Sequence, residues 1–263
     1  MSDRRRAGQS ANQRYQELAR AWRRRRRPLL VGWLALAVVL IAVGNFVGDE
    51  WKASVGAIGG VFLGSLVYAL VSPPDRIDNW YWGSQGERKT AKALRRLPKE
   101  EWRVWHDLLR EDGTNIDHVV VGVAGVFLLD SKTLTGRITV DNAGLHTQWL
   151  EDSHVARVSR ATFGQVAAAS AELKDRIQAA TGIVAWVQPV VVLWGRFEQG
   201  IVRTDDIIFV HGNELVRCLC DSAPARRAFD RAQIADFLDQ AARDGLPASK
   251  RAEPAHSPHD EAS

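Results

Sequence analysis

Asn115-Ile116-Asp117-His118-Val119-Val120-Val121-Gly122-Val123-Ala124-Gly125-Val126-Phe127-Leu128-Leu129-Asp130-Ser131-Lys132 reads as two buried strands joined by a short turn, with charges where buried strands should carry none. Pairing Val121 with Val126 across the loop Gly122 to Gly125 sets Asp117 opposite Asp130. Opposite residues of an antiparallel pair share a face, with Cβ atoms about 4.5–5.5 Å apart. Lys132 lies two residues further on and shares that face. Two carboxylates this close repel each other, and a divalent cation turns that cost into a binding site. Ile116, Val120, Phe127 and Leu129 fall on one face and Val119, Val121, Val126 and Leu128 on the other. Apolar residues on both faces predict a central sheet covered on both sides.

Outward from the hairpin, the pattern stays globular. Gly83-Ser84-Gln85-Gly86-Glu87-Arg88 opens a helix that runs to about Leu97, with Ala91, Leu94 and Leu97 on one face and Pro98 marking its end. Trp102 to Leu109 alternates as a strand, and Glu111-Asp112-Gly113-Thr114 is a turn. After the hairpin come a strand around Arg137 to Val140, loop and strand from Trp149 to Val158, and an Ala-rich helix from Ala161 to Ala180. Strands follow at Ala185–Leu193 and Asp206–Val210, then an amphipathic helix from Gln233 to Ala242. From Leu246 the composition of Pro, Ala, Ser and charge predicts disorder. Cys218 and Cys220 read as neighbours on one strand and fit a reducing compartment. With His211 they make a zinc pattern short of four ligands.

The start of the chain has a different character. Residues 1–28 hold ten arginines against Asp3 and Glu17, whereas residues 72–263 hold 24 Lys and Arg against 27 Asp and Glu. The folded part is therefore mildly acidic, which argues against a broad electrostatic surface for nucleic acid. Leu29 to Gly48 and Ala53 to Val71 are runs without charge, separated by Asp49-Glu50-Trp51-Lys52. Each is long enough to span a hydrocarbon core of about 30 Å, so the pair predicts a transmembrane helical hairpin. Arg23 to Arg27 directly precede the first run. The positive-inside rule then leaves both termini and the main domain cytoplasmic, at the plasma membrane. The arginine run serves topology and anionic lipid in that reading; nucleic-acid contact is its alternative. Gly56, Gly60 and Gly64 form a face that permits close packing within the hairpin, or a homodimer. The expected organisation is a basic tail (1–28), the hairpin (29–48 and 53–71), a linker (72–82), a main domain (83–195), its extension (196–245) and a tail (246–263).

An acidic pair beside a lysine on adjacent strands suits metal-assisted phosphodiester hydrolysis. Asp117 and Asp130 are the candidate ligands for Mg²⁺ or Mn²⁺, Glu87 is a third carboxylate, and Lys132 is placed to orient water or stabilise charge on the phosphate. Each residue has a plainer role open to it. Glu87 suits a helix start, Asp117 a turn cap or ion pair, and Asp130 with Lys132 a strand-end salt bridge. His118 points away from Asp117 and reads as structural.

Gly86-Glu87-Arg88, the strand around Trp105, Asn115-Ile116-Asp117-His118 and Gly125 to Lys132 resemble NERD, the nuclease-related domain, itself similar to the PD-(D/E)xK nuclease-like superfamily. Gly136 and the helix bearing Gln165 are similar too. The resemblance covers roughly residues 83–195. It implies a restriction-endonuclease-like α/β fold, a mixed sheet flanked by helices, with Glu87, Asp117, Asp130 and Lys132 as the site and Gln165 facing it. The expected function is a membrane-anchored, metal-dependent nuclease acting on DNA or RNA. The alternative is an inactive membrane-tethered binding or scaffold module.

Overall fold

The structure, a computed structural model, describes residues 6–46, 56–65, 68, 75–141, 144–148, 155–157, 160–223 and 229–247. It divides into two units, Ser10–Ser84 and Met1–Gln9 with Gln85–Ser263.

In the first unit, α1 is one helix, Gln9–Phe46, that runs through the five arginines and Pro28. Residues 56–65 form α2. Trp33 of α1 and Phe62 of α2 stack with ring centroids 5.0 Å apart. Among the described residues no helix is long and apolar enough to cross a membrane, so the expected transmembrane hairpin is not supported. The helix carrying the first run is not a separate apolar span but the end of a helix that starts in the basic tail. The expected spans also pass through residues 47–55, 66–67 and 69–74, which lie outside the described set. A Cβ built at Gly56, Gly60 or Gly64 meets open space, so the glycine face packs against no described helix.

The second unit is a three-layer α/β arrangement. Its sheet has the order β1-β2-β3-β6-β8-β7, with β4 and β5 added beside β3. The strands are β1 Arg103–Leu109, β2 Asn115–Gly122, β3 Gly125–Asp141, β4 Gly144–Gln148, β5 Val155–Arg157, β6 Val187–Phe197, β7 Ile201–Arg203 and β8 Ile208–His211. Valine-rich β2 and β6 suit the sheet centre, since β-branched side chains pack well on a pleated surface covered on both sides. β3 pairs antiparallel with β2 and parallel with β6, so the sheet is mixed. Helix α4, Arg160–Thr181, lies in sequence between β3 and β6.

On one face, α4 and α6 (Arg231–Asp244) bury Leu173, Ile177, Ile234 and Leu238 against Val119, Val121, Val126 and Leu128. On the other, Leu94 and Leu97 from the α3 region (Asp75–Leu94) and Leu215 and Leu219 of α5 (Leu215–Cys220) cover Val120, Phe127, Leu129 and Val192. This matches the predicted alternation with one exception. Ile116 joins the cluster of Val119, and its ladder partner Leu108 joins it too. The strand pair changes course at Asp107, whose φ is +55°.

Several elements differ from expectation. α3 begins at Asp75, inside the expected linker, and carries Trp80, Tyr81 and Trp82. The predicted strand at Arg137–Val140 is the far half of an unbroken β3. Its register shifts between Thr133 and Arg137, near Gly136 at φ +88°. β4 was not anticipated. Cys218 and Cys220 lie on a helix instead of a strand, the first buried and the second exposed. Leu246 is buried and its N–H donates to the Leu109 carbonyl at 2.8 Å, so order extends past the predicted start of the tail.

Candidate functional site

The hairpin register is the one read from the sequence. Val121 pairs with Val126, and His118 with Leu129. The next step of that register sets Asp117 opposite Asp130. The Asp117 Oδ2 accepts a hydrogen bond from the Ser131 N–H at 2.8 Å, where β2 no longer pairs β3. Lys132 Nζ donates to Asp130 Oδ1 at 3.1 Å and lies 2.9 Å from Oδ2. Their i, i+2 spacing on one strand face makes that contact possible.

Glu87 comes from α3 and is buried, 6% exposed. A buried network holds α3 to β3 beside it. Thr90 Oγ1 lies 2.8 Å from Ser131 Oγ, donates to the Gly86 carbonyl at 3.1 Å, and accepts from Trp194 Nε1 at 2.9 Å. Gly86 permits this close approach, because a Cβ there would lie 2.5 Å from Thr133 Oγ1. Glu87 Oε2 is buried without a hydrogen-bond partner.

The electrostatics follow from this crowding. Burial, then the charges of Asp107 and Asp130, push Glu87 from its ordinary 4.5 up to about 7, although the Gly8 N–H and Lys132 pull it down. Burial, Glu87 and Asp130 likewise hold Asp117 well above the usual carboxylate range, against the Ser131 N–H and Lys132. For Lys132 burial is the largest single influence and lowers its pKa. The combined pull of Asp130, Asp117 and Glu87 outweighs it and raises the ammonium above its ordinary 10.5. Lys132 is therefore a cation at neutral pH, suited to stabilising negative charge and unsuited to acting as a base.

Carboxylate oxygens are the donors a hard divalent cation takes, and the orphaned Glu87 oxygen fits one. The present arrangement is not a closed shell: among the described residues no three His, Cys, Asp or Glu side chains are grouped to hold a metal ion. Asp117 and Asp130 are engaged by Ser131 and Lys132, so binding requires them to turn. The same holds for the weak zinc pattern of His211, Cys218 and Cys220, which forms no such group.

Gln165 is exposed on α4, and no described hydrogen bond joins it to the four charged residues. His118 is fully buried, and its Nδ1 lies 2.8 Å from the Nδ1 of His106, one ring donating to the other. Burial holds His106 down near 4 and His118 well below its ordinary value, so both are neutral core residues. Sequence reasoning passed over Asp107. It is 1% exposed and accepts from Asn115 Nδ2 at 2.7 Å. The only sign of it was a polar His106-Asp107 step inside a strand of otherwise buried character.

No curated protein and no solved structure matches the chain. The family described as the nuclease-related domain, NERD, matches residues 82–194, a stretch that contains α3, the acidic hairpin, α4 and most of β6. The chain therefore carries a nuclease-related domain, of the kind similar to PD-(D/E)xK nucleases, and its four charged candidates all lie inside it.

Proposed function

We propose that this domain hydrolyses phosphodiester bonds of DNA or RNA with the help of Mg²⁺ or Mn²⁺. The observation that supports the reading most is the pairing of Asp117 opposite Asp130, with Lys132 beside them and Glu87 brought in from α3. A divalent cation held by Asp117, Asp130 and Glu87 would neutralise phosphate charge and lower the pKa of bound water. The chain's own contributions are separate from this. Lys132, charged at neutral pH, stabilises negative charge growing on the phosphate or orients the attacking water. The Ser131 N–H fixes one oxygen of Asp117 and leaves the other free to turn toward a ligand. The bonds among Thr90, Ser131 and Trp194 keep α3, and so Glu87, in place against β3.

Membrane attachment belongs to the same proposal. It rests on the uncharged runs 29–48 and 53–71 and on the exposed Leu29, Val31, Leu34, Val38 and Val39 of α1. The arginine run would then keep the domain at the cytoplasmic face. Recovery of the chain in the soluble fraction after cell lysis in low salt would remove this part.

The experiment is a cleavage assay on the full-length chain with Mg²⁺, Mn²⁺ or EDTA, against single- and double-stranded DNA and RNA. Metal-dependent cleavage is expected, abolished in Asp117→Ala and Lys132→Ala. A second reading, a binding module without catalysis, is favoured by one observation: the acids are engaged internally and form no ready metal group. Nucleic-acid retention with no cleavage under any metal would select it.

A further inference from the structure

We infer that Asp107, on β1, is a fourth carboxylate of the cation-binding acid set, completing it on the side of Glu87. The inference rests on the proposed metal-dependent reading of the site.

The sheet geometry comes first. β1 and β2 pair with His106 opposite His118 and Leu108 opposite Ile116, so Asp107 falls at the level of Asp117. That step alone is missing from the ladder between those two pairs. Asp107, Asp117 and Asp130 thus form one row across three adjacent strands. At Asp107 the backbone takes φ +55°, the only positive φ among described residues other than glycine. Such a conformation costs on the order of 1–3 kcal/mol and persists only where the surroundings enforce it. A local departure of this kind re-aims a side chain out of its regular alternation.

The second line concerns what Asp107 faces. Among neighbouring charges, Asp107 acts on Glu87 more strongly than Asp130 or Lys132 does. Glu87 is itself more than nine-tenths buried, and its Oε2 has no hydrogen-bond partner. A strand acid held at strained backbone beside a buried, unsatisfied carboxylate oxygen destabilises the protein unless a cation joins them. Asn115, two residues before Asp117, holds one Asp107 oxygen at 2.7 Å and thereby ties the orientation of β1's acid to β2.

The test is calorimetric titration of the full-length chain with Mn²⁺, together with thermal melts in EDTA. Asp107→Asn keeps the shape and the Asn115 contact. Asp107→Gly keeps the positive φ and removes the carboxylate. Both are expected to weaken Mn²⁺ binding at least tenfold, and Asp107→Asn is expected to melt in EDTA no lower than wild type, since repulsion is relieved. Unchanged Mn²⁺ affinity in either folded variant overturns the inference while leaving the metal site intact. Absence of Mn²⁺ binding by wild type overturns the proposed function and this inference with it. Failure of both variants to fold assigns Asp107 to the stability of the strand pair and also overturns it.

Discussion

At the scale of single residues, the charge on Lys132 and the proton on Glu87 govern the site. If Lys132 acts on the phosphate, Lys132→Ala should lower cleavage by roughly 10²–10³-fold, the cost typical of losing one transition-state contact. Steady-state cleavage rates at saturating Mg²⁺ check this, and a rate within twofold of wild type would remove Lys132 from the chemistry. Glu87 gives a pH signature. Its folded-state value near 7 exceeds the ordinary 4.5, so the folded chain holds more protons across that window. Stability in EDTA should therefore fall as pH rises from about 4.5 through 7, by an amount on the order of a few kcal/mol, and Asp117 should push the same way. Glu87→Gln should flatten the slope, as melts at pH 5 and pH 8 would reveal. The hairpin acids were legible in the sequence because a strand period of two leaves no freedom once one pair is chosen. Asp107 was not legible, because its strained backbone breaks that same period.

At the scale of elements, the sheet is pinned by close approaches that tolerate no added atom. A Cβ at Gly122 would lie 2.1 Å from the indole of Trp102, which is itself buried. Gly122→Ala should cost about 1–3 kcal/mol, the usual range for overpacking, and should lower the denaturant midpoint without changing the slope. Helices and strands of clear periodicity were read correctly in kind: α4, α6, β1, β2, β6 and β8 all stand near their expected positions. The misses share a cause. Trp80, Tyr81 and Trp82 invited an interfacial reading where α3 simply continues. Gly136 looked like a strand end, yet β3 passes through it with a register shift. Cys218 and Cys220 sit in a helix too short to show a period.

At the scale of the whole molecule, the acidic balance of residues 72–263 against an arginine-rich start separates a cation-seeking domain from a basic leading segment. Mg²⁺ or Mn²⁺ in excess should raise the melting temperature of the chain through binding to the folded state alone, and Asp117→Asn should erase the rise. An unchanged wild-type melt would count against a metal site. The layered sheet was legible from two-sided burial, whereas the relation between long helices and membrane was not, since the structure joins the arginine run and the apolar run in one helix. The bond from the Leu246 N–H to the Leu109 carbonyl has a further bearing. β1 is an outer strand of the sheet, and this bond occupies one of its outward-facing acceptors beside α6. An open outer strand is a template on which a second chain can add. The short peptide after α6 thus works as a colloidal safeguard: a fragment ending at residue 244 should scatter light in a concentration-dependent way where one ending at 247 stays monodisperse.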